Sequence, residues 1–496
     1  MSRFESFQLC NMAVDYDLII IGSSWEGIYA AKQGVQLQAR VALVTQSEDL
    51  FLPDDTLFNY SFREVGHLNY QLASNPFTTK SEKLPYIYLA EAGNWARGIN
   101  SVVQTQNSLS SLAALGVDVI LGKGEFCPLP KLAFKVQKRK LYSRNFLLAT
   151  GTNFIPQFGG KNLTSGYLTP KDFWQQDFTD FGQNIIVVGD DPTALELAQA
   201  LARFDKKVTL VAQKPRILPQ EDPEVALLIQ AQLEAEGIKI YTNSPLSQLK
   251  TIEQQKWIQA GDHALIADEI LITDCRQPNI AGLNLAGANV KCDQTRVYVN
   301  QKLQTTNSSI FACGDLIGGY NLPNITSYEV NLILKNTLFF SGYKTNYFSL
   351  PWVISTQPTF ARVGLNELQA KQQQGSDLHI IKEYLTDIAS AQISERTSGI
   401  CKLLVRTNGE ILGCSLFCDR AGELITVIAL MIEHKIRLKQ NPMRGLTDLS
   451  IPFIYPSMTE ILQRASHNFY QQKLKRNPQL LRRLRSWFSL RKQWHR

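Results

Sequence analysis

No cysteine lies between Cys10 and Cys127, and none of the chain's eight cysteines forms a C-x-x-C pair. Cys414 and Cys418 are the closest spacing, but no histidine or second pair stands beside them, so a zinc site is not expected. The scattered thiols (Cys10, Cys127, Cys275, Cys292, Cys313, Cys401, Cys414, Cys418) read as buried or half-buried free cysteines of a reducing compartment, which points to the cytoplasm. The six histidines show no metal-ligand spacing. No run of eighteen apolar residues occurs, so no spanning helix is expected. The N-terminus has Arg3 and Glu5 and no apolar run before Asp15, unlike a secretory signal. Acids are missing from Ser466 to Arg496, where nine Lys and Arg fall; the net charge of +7 therefore sits in the tail, and the body is near neutral.

What remains is an ordinary globular composition, 44% apolar and 19% charged, over 496 residues, enough for two or three domains. Two short motifs stand out. Leu18-Ile19-Ile20-Ile21 runs into Gly22-Ser-Ser-Trp-Glu-Gly27, and Ile185-Ile186-Val187-Val188 runs into Gly189-Asp-Asp-Pro-Thr-Ala194. A strand, a small-residue turn and a helix form the unit that seats a pyrophosphate on a helix N-terminus. Two such units suggest two dinucleotides with hydride passing between them. Around them the spacing predicts helices over 28–37, 193–204, 223–236 and 420–434, and an alternating strand over 132–142. From about Leu350 the pattern becomes α+β.

Further segments follow in a recognisable order: Ala149-Thr150-Gly151, Glu196 after the second turn, Arg216-Ile-Leu-Pro-Gln-Glu-Asp-Pro223, Arg276-Gln-Pro-Asn279, Cys313-Gly314-Asp315 with Gly318-Gly319, Ala361 to Leu365 and Ala421 to Ile425. Over roughly residues 15–465 the chain resembles the pyridine nucleotide-disulfide oxidoreductases: glutathione reductase, dihydrolipoamide dehydrogenase and mercuric reductase. The resemblance implies an α/β fold with two Rossmann-like dinucleotide-binding domains, the FAD domain being split around an NAD(P)-type domain, plus an α+β C-terminal dimerisation domain. The expected boundaries are 1–160 and 286–348 for the FAD domain, 161–285 for the NAD(P)-type domain, 349–465 for the interface of a homodimer, and 466–496 for a basic amphipathic tail. It also implies that Gly22, Ser23, Ser24, Gly27, Ala149, Thr150, Gly151, Gly314 and Asp315 hold FAD. Gly189, Thr193, Ala194, Glu196, Lys214 and Arg216 would hold NADPH or NADH. Lys214 and Arg216 lean toward NADPH, although Arg216 also suits a purely structural role.

The departures are chemical. The family carries two cysteines four residues apart on the helix after its second strand, and here no residue can supply them. The family's His-Pro-x-x-x-Glu base reads Tyr455-Pro456-Ser-Met-Thr-Glu460, and a tyrosine titrating near ~10 is a poor acceptor at neutral pH. Glu196, Tyr455 and Glu460 are thus only weak catalytic candidates. The lysine with which the family pairs Glu196 has no evident counterpart. Thr45 stands where an acid binds the adenosine ribose, Trp25 and Glu26 are unusual in a phosphate turn, and Cys275 replaces a glycine. Asp190 and Asp191 stand in the second turn, where a carboxylate ~5 Å from a phosphate at effective dielectric ~20 costs about 3 kcal/mol, roughly a hundredfold in affinity.

In the tail, Asn477-Pro478 starts a helix. Leu480, Leu481, Leu484, Trp487, Phe488 and Trp494 share one face. Arg482, Arg483, Arg485, Lys492 and Arg496 lie opposite, with Arg491 intruding. Such a helix lies on an anionic membrane surface or docks on protein; nucleic acid is not expected. The leading expectation is an FAD-dependent NAD(P)H oxidoreductase serving a non-thiol acceptor, a quinone or another small oxidant. The alternative is a catalytically decayed dimeric scaffold that binds a nucleotide or a partner.

Overall fold

The computed structural model describes residues 14–46, 55–73, 86–158, 161–162, 165–252, 255–274, 276–319, 322–438 and 454–494; Cys10, Cys275 and Arg496 lie outside them. The chain forms two compact units. One comprises residues 1–61, 93–163 and 275–345, the other 62–92, 164–274 and 346–496.

The first unit is built on a five-stranded parallel sheet in the order Ile310–Ala312, Ser143–Leu148, Tyr16–Ile21, Val41–Thr45, Asp118–Leu121. Its central strand reads as an unbroken apolar run because both faces are covered. Ile19 and Ile21 enter one core with Phe126, Phe134 and Phe146. Leu18 and Ile20 enter another with Ile28, Phe311 and Ile333. The expected single strand over 132–142 is a hairpin, Ala133–Val136 and Arg139–Leu141, turned at Gln137 with φ 52°.

The second unit contains a four-stranded parallel sheet in the order Lys239–Tyr241, Lys207–Val211, Asn184–Val188, Glu269–Ile272. It also has a five-stranded antiparallel sheet, Trp352–Ile354, Thr359–Gly364, Ile411–Cys418, Ile400–Arg406 and Leu378–Tyr384 in spatial order. The helices Ala421–Glu433 and Glu460–Arg476 give this sheet its core. The long helix Glu460–Arg476 was not expected from the sequence, nor was Asp55–Ala73, whose segment reads as irregular. The remaining expected helices form as Trp25–Gln36, Pro192–Ala202 and Pro223–Ala235, each within three residues of the predicted ends. The tail helix runs Pro478–Gln493. Among the described residues no helix is long and apolar enough to cross a membrane.

Candidate functional site

The first turn is held by steric necessity. Gly22 has φ 105°, and a Cβ there would stand 2.1 Å from the Ala149 carbonyl oxygen. A Cβ on Gly27 would stand 2.4 Å from the oxygen of Gly22. The Ser24 hydroxyl donates to the Ala149 oxygen at 2.7 Å, and the Ser23 and Thr45 hydroxyls share a bond of 2.8 Å. Thr45, expected to replace a ribose-binding acid, thus braces the turn.

Asp315 faces the same region. Its Oδ2 accepts from Arg276 at 2.9 Å and from Thr152 at 3.1 Å. Its Oδ1 and the hydroxyl of Thr150 are buried and have no hydrogen-bond partner among the described residues. Arg276, Thr295, Arg296, Asp315, Gly318 and Gly319 line a cavity of about 360 Å³. The close backbone at Gly22 and Gly27, the N-terminus of Trp25–Gln36 without a side-chain cap from Ser24, and an acceptor oxygen awaiting a donor fit a phosphate-and-hydroxyl ligand such as FAD.

Glu26, singled out in the sequence only as unusual for a phosphate turn, is buried in the first unit. Burial and then the carboxylates of Asp315 and Glu329 push it up to about 7. Its carboxyl lies 3.4 Å from where a Cβ on Gly314 would stand, and its Oε1 has no hydrogen-bond partner among the described residues. Glu329 accepts the Gly314 N–H at 2.7 Å. A charged residue in a turn that otherwise takes small neutral ones was the available signal.

The second turn has the same shape and the opposite charge. A Cβ on Gly189 would meet the Thr273 hydroxyl at 2.1 Å, and Ala194 is fully buried beneath the turn. Asp191 caps the helix Pro192–Ala202, accepting the Ala194 N–H at 3.0 Å and the Thr273 hydroxyl at 2.7 Å. Asp190 is buried, with Lys214 at 3.2 Å. Asp274 is pushed up to about 7 by burial and by Asp191 and Asp190, against the pull of Lys214. Thr193 is half-buried in the first turn of the helix. Arg216 donates within its own turn, to the Pro219 carbonyl at 2.7 Å and the Glu221 carbonyl at 3.4 Å.

Glu196 is not without an ion pair. Arg63, the only lysine or arginine in the helix Asp55–Ala73, lies 2.6 Å from its Oε1, and the Ser355 N–H donates to the same oxygen at 2.7 Å. Arg63 is buried and Glu196 half-buried. The neighbouring Phe62 fixes this part of the helix by packing against Phe173 and Phe204 at 5.7 and 5.0 Å. The resemblance implies a lysine beside cysteines, and an arginine beside a phenylalanine carries no such signal in the sequence. Tyr455 is 74% exposed. Glu460 is occupied by Arg464 at 3.0 Å and by the Ala389 N–H at 3.3 Å.

Residues 16–330 match the family described as "Pyridine nucleotide-disulphide oxidoreductase", and residues 350–466 match its dimerisation domain. The chain belongs to the pyridine nucleotide-disulphide oxidoreductases. The family uses FAD and NAD(P)H, and its dimerisation domain supports a homodimer. Among curated relatives, the mercuric reductase of Staphylococcus aureus is 27% identical, the match covering 92% of this chain and 82% of that one. A dihydrolipoyl dehydrogenase of Bacillus subtilis is 26% identical, over 84% of this chain and 92% of that one. The solved structure of the HOCl-induced flavoprotein disulfide reductase RclA from Escherichia coli, as its Cu(II) complex, superposes with a TM-score of 0.77 at 22% identity, covering 92% of this chain and 99% of that one. LpdA from Mycobacterium tuberculosis superposes at 0.78 and 21% identity, covering 90% and 98%. At these identities the solved structures speak for the fold, which is the expected mixed α/β architecture of flavoprotein disulfide reductases.

Proposed function

We propose that this member of the family passes electrons from NAD(P)H through FAD to a non-thiol acceptor, a quinone or another small oxidant, without a redox-active disulfide. The observation that carries the reading is the absence of any cysteine between Cys10 and Cys127 in a chain that keeps the first turn and Asp315. FAD, when bound, supplies a two-electron carrier between reduced nicotinamide and acceptor. The chain's own residues bind and orient. Gly22, Ser23, Ser24 and Gly27 bring backbone to the phosphates, Ala149, Thr150 and Gly151 line the approach, and Gly314 and Asp315 receive hydroxyl groups. Gly189, Thr193, Ala194 and Lys214 do the same for the nicotinamide dinucleotide, Lys214 favouring the phosphorylated form. Tyr455 and Glu460 supply no base in this scheme.

The domain division proposed is 1–160 with 286–348 for FAD, 161–285 for NAD(P)H, 349–465 for the homodimer contact, and 466–496 for the tail. The tail belongs to a lipid-facing role: Trp487, Phe488, Leu490 and Trp494 are each more than half exposed, and arginines accompany them. Such a site suits a lipid-soluble acceptor and a cytoplasmic protein that visits a membrane surface. Sedimentation with vesicles containing anionic lipid is expected to pull down the full chain in low salt, and truncation before Pro478 to abolish it. Equal sedimentation of both forms sinks the lipid role.

A second reading, a decayed scaffold, draws on Asp190, Asp191 and Asp274 around the second turn. An absorption spectrum followed by anaerobic addition of NADPH and then NADH separates the two. A yellow protein that bleaches, then recovers colour with a quinone but not with oxidised glutathione, lipoamide or mercuric ion, is the expected result. A protein that takes up no flavin overturns the oxidoreductase reading in favour of the scaffold.

A further inference from the structure

The second turn places three carboxylates around one helix N-terminus. Asp191 occupies it directly as the cap, bonded to the Ala194 N–H and the Thr273 hydroxyl. Asp190 lies in the turn itself, buried, with Lys214 at 3.2 Å. Asp274 follows the strand Glu269–Ile272 and is half-buried. The charged and polar groups facing Asp274 are Asp191 from the helix cap, Asp190 from the turn, and Lys214 and Gln213 from the loop after Lys207–Val211. With every group ionised this locus carries three negative charges and one positive, where a dinucleotide must bring two more negative charges.

The three acids are not equally held. Asp190 has the Lys214 ammonium beside it at 3.2 Å, and Asp191 accepts hydrogen bonds at 3.0 and 2.7 Å. Among the described residues Asp274 receives one hydrogen bond, from the Gln213 amide at 3.4 Å. A proton added to the group therefore settles on Asp274. An arriving pyrophosphate raises the proton affinity of Asp274 further, and by reciprocity a proton there raises the affinity for the pyrophosphate.

We infer that pyridine dinucleotide binds at the second turn together with a proton taken up by Asp274, so that affinity falls as the medium becomes more alkaline. The inference rests on reading this turn as the nicotinamide nucleotide site and adds its regulation. The acidic turn is then compatible with binding: the shape at Gly189 and Ala194 admits the ligand, and protonation offsets the charge. Hydride supply becomes responsive to pH near neutrality, upstream of any acceptor.

The test is titration calorimetry of the purified full-length protein, its flavin reduced beforehand under anaerobic conditions so that no hydride or flavin proton enters the readout, with NADH, whose pyrophosphate does not titrate near neutrality, between about pH 6 and 8.5. NADPH is run in parallel, since its 2′-phosphate titrates near ~6 and supplies a known proton of its own. The dissociation constant for NADH is expected to rise several-fold per pH unit above neutrality, with a limiting slope of tenfold for one proton. Two buffers of different ionisation enthalpy at the same pH are expected to report net proton uptake, a readout that needs no variant. Asp274→Asn is expected to flatten the pH dependence and to bind NADH more tightly than the natural protein at pH 8.5. An unchanged slope in that variant, or no proton uptake by the natural protein, overturns the inference and leaves the nucleotide site standing. No binding of NADH or NADPH to either protein at any pH overturns the nucleotide site and the inference together.

Discussion

Glu26→Gln is expected to stabilise the protein by about 3 kcal/mol at pH 8 and by little at pH 4.5. The carboxyl is pushed up from 4.5 to about 7, chiefly by burial, and one pH unit of displacement corresponds to about 1.36 kcal/mol. A carboxyl whose folded value is raised holds a proton in the folded state that it loses in the unfolded one. Its stability is intact below 4.5, falls as the pH rises toward 7, and stays depressed above it. Glutamine keeps the shape without the ionisation, so the difference between the two proteins should open over that window and then level off. Urea unfolding at half-unit steps from pH 4.5 to 8 measures it. A difference that does not change with pH would show that Glu26 ionises as freely folded as unfolded.

Lys402→Ala is expected to cost about 3–5 kcal/mol at pH 7, the range for removing one member of a buried ion pair. Lys402 is 2% exposed in the strand Ile400–Arg406 and serves three carboxylates: Asp222 at 3.3 Å, Glu224 at 3.5 Å, and Glu367. The carboxylates are the reason for the size of the effect. Without the ammonium, Asp222, itself 2% exposed, is left buried beside like charges. Asp222→Asn combined with Lys402→Met should recover part of the loss, and acidification should recover part of it in the single variant. The urea midpoint of the three proteins decides the matter: a loss under about 1 kcal/mol in the single variant would mean that water reaches the site.

The parts of this fold that were legible in the sequence are those where one residue type has one physical use. Glycine at 22 and 189 marks backbone contact that no side chain survives, and the runs 18–21 and 185–188 mark strands covered on both faces. Helix Pro223–Ala235 announced itself by a proline at its start and a glycine past its end. Legibility failed where partners are distant in sequence. The helix Asp55–Ala73 has Asp54 and Asp55 at its start, but its packing depends on Phe173 and Phe204, more than a hundred residues downstream. Arg63 could not be assigned to Glu196 for the same reason. Asp191 was read as a repulsive charge because its role as a cap depends on the Ala194 N–H and on Thr273, brought in by another strand. Gln137 hid a hairpin because an alternating pattern persists through its turn.

Arg63 beside Glu196 has a consequence for what can be done to the protein chemically. A guanidinium keeps its proton at any pH a folded chain tolerates, and it is no nucleophile under those conditions. Acylation, carbamylation and Schiff-base formation with carbonyl metabolites are reactions of an amine, and at this position they are closed. An inhibitor strategy or a cellular modification that targets amines in these enzymes will pass this locus by.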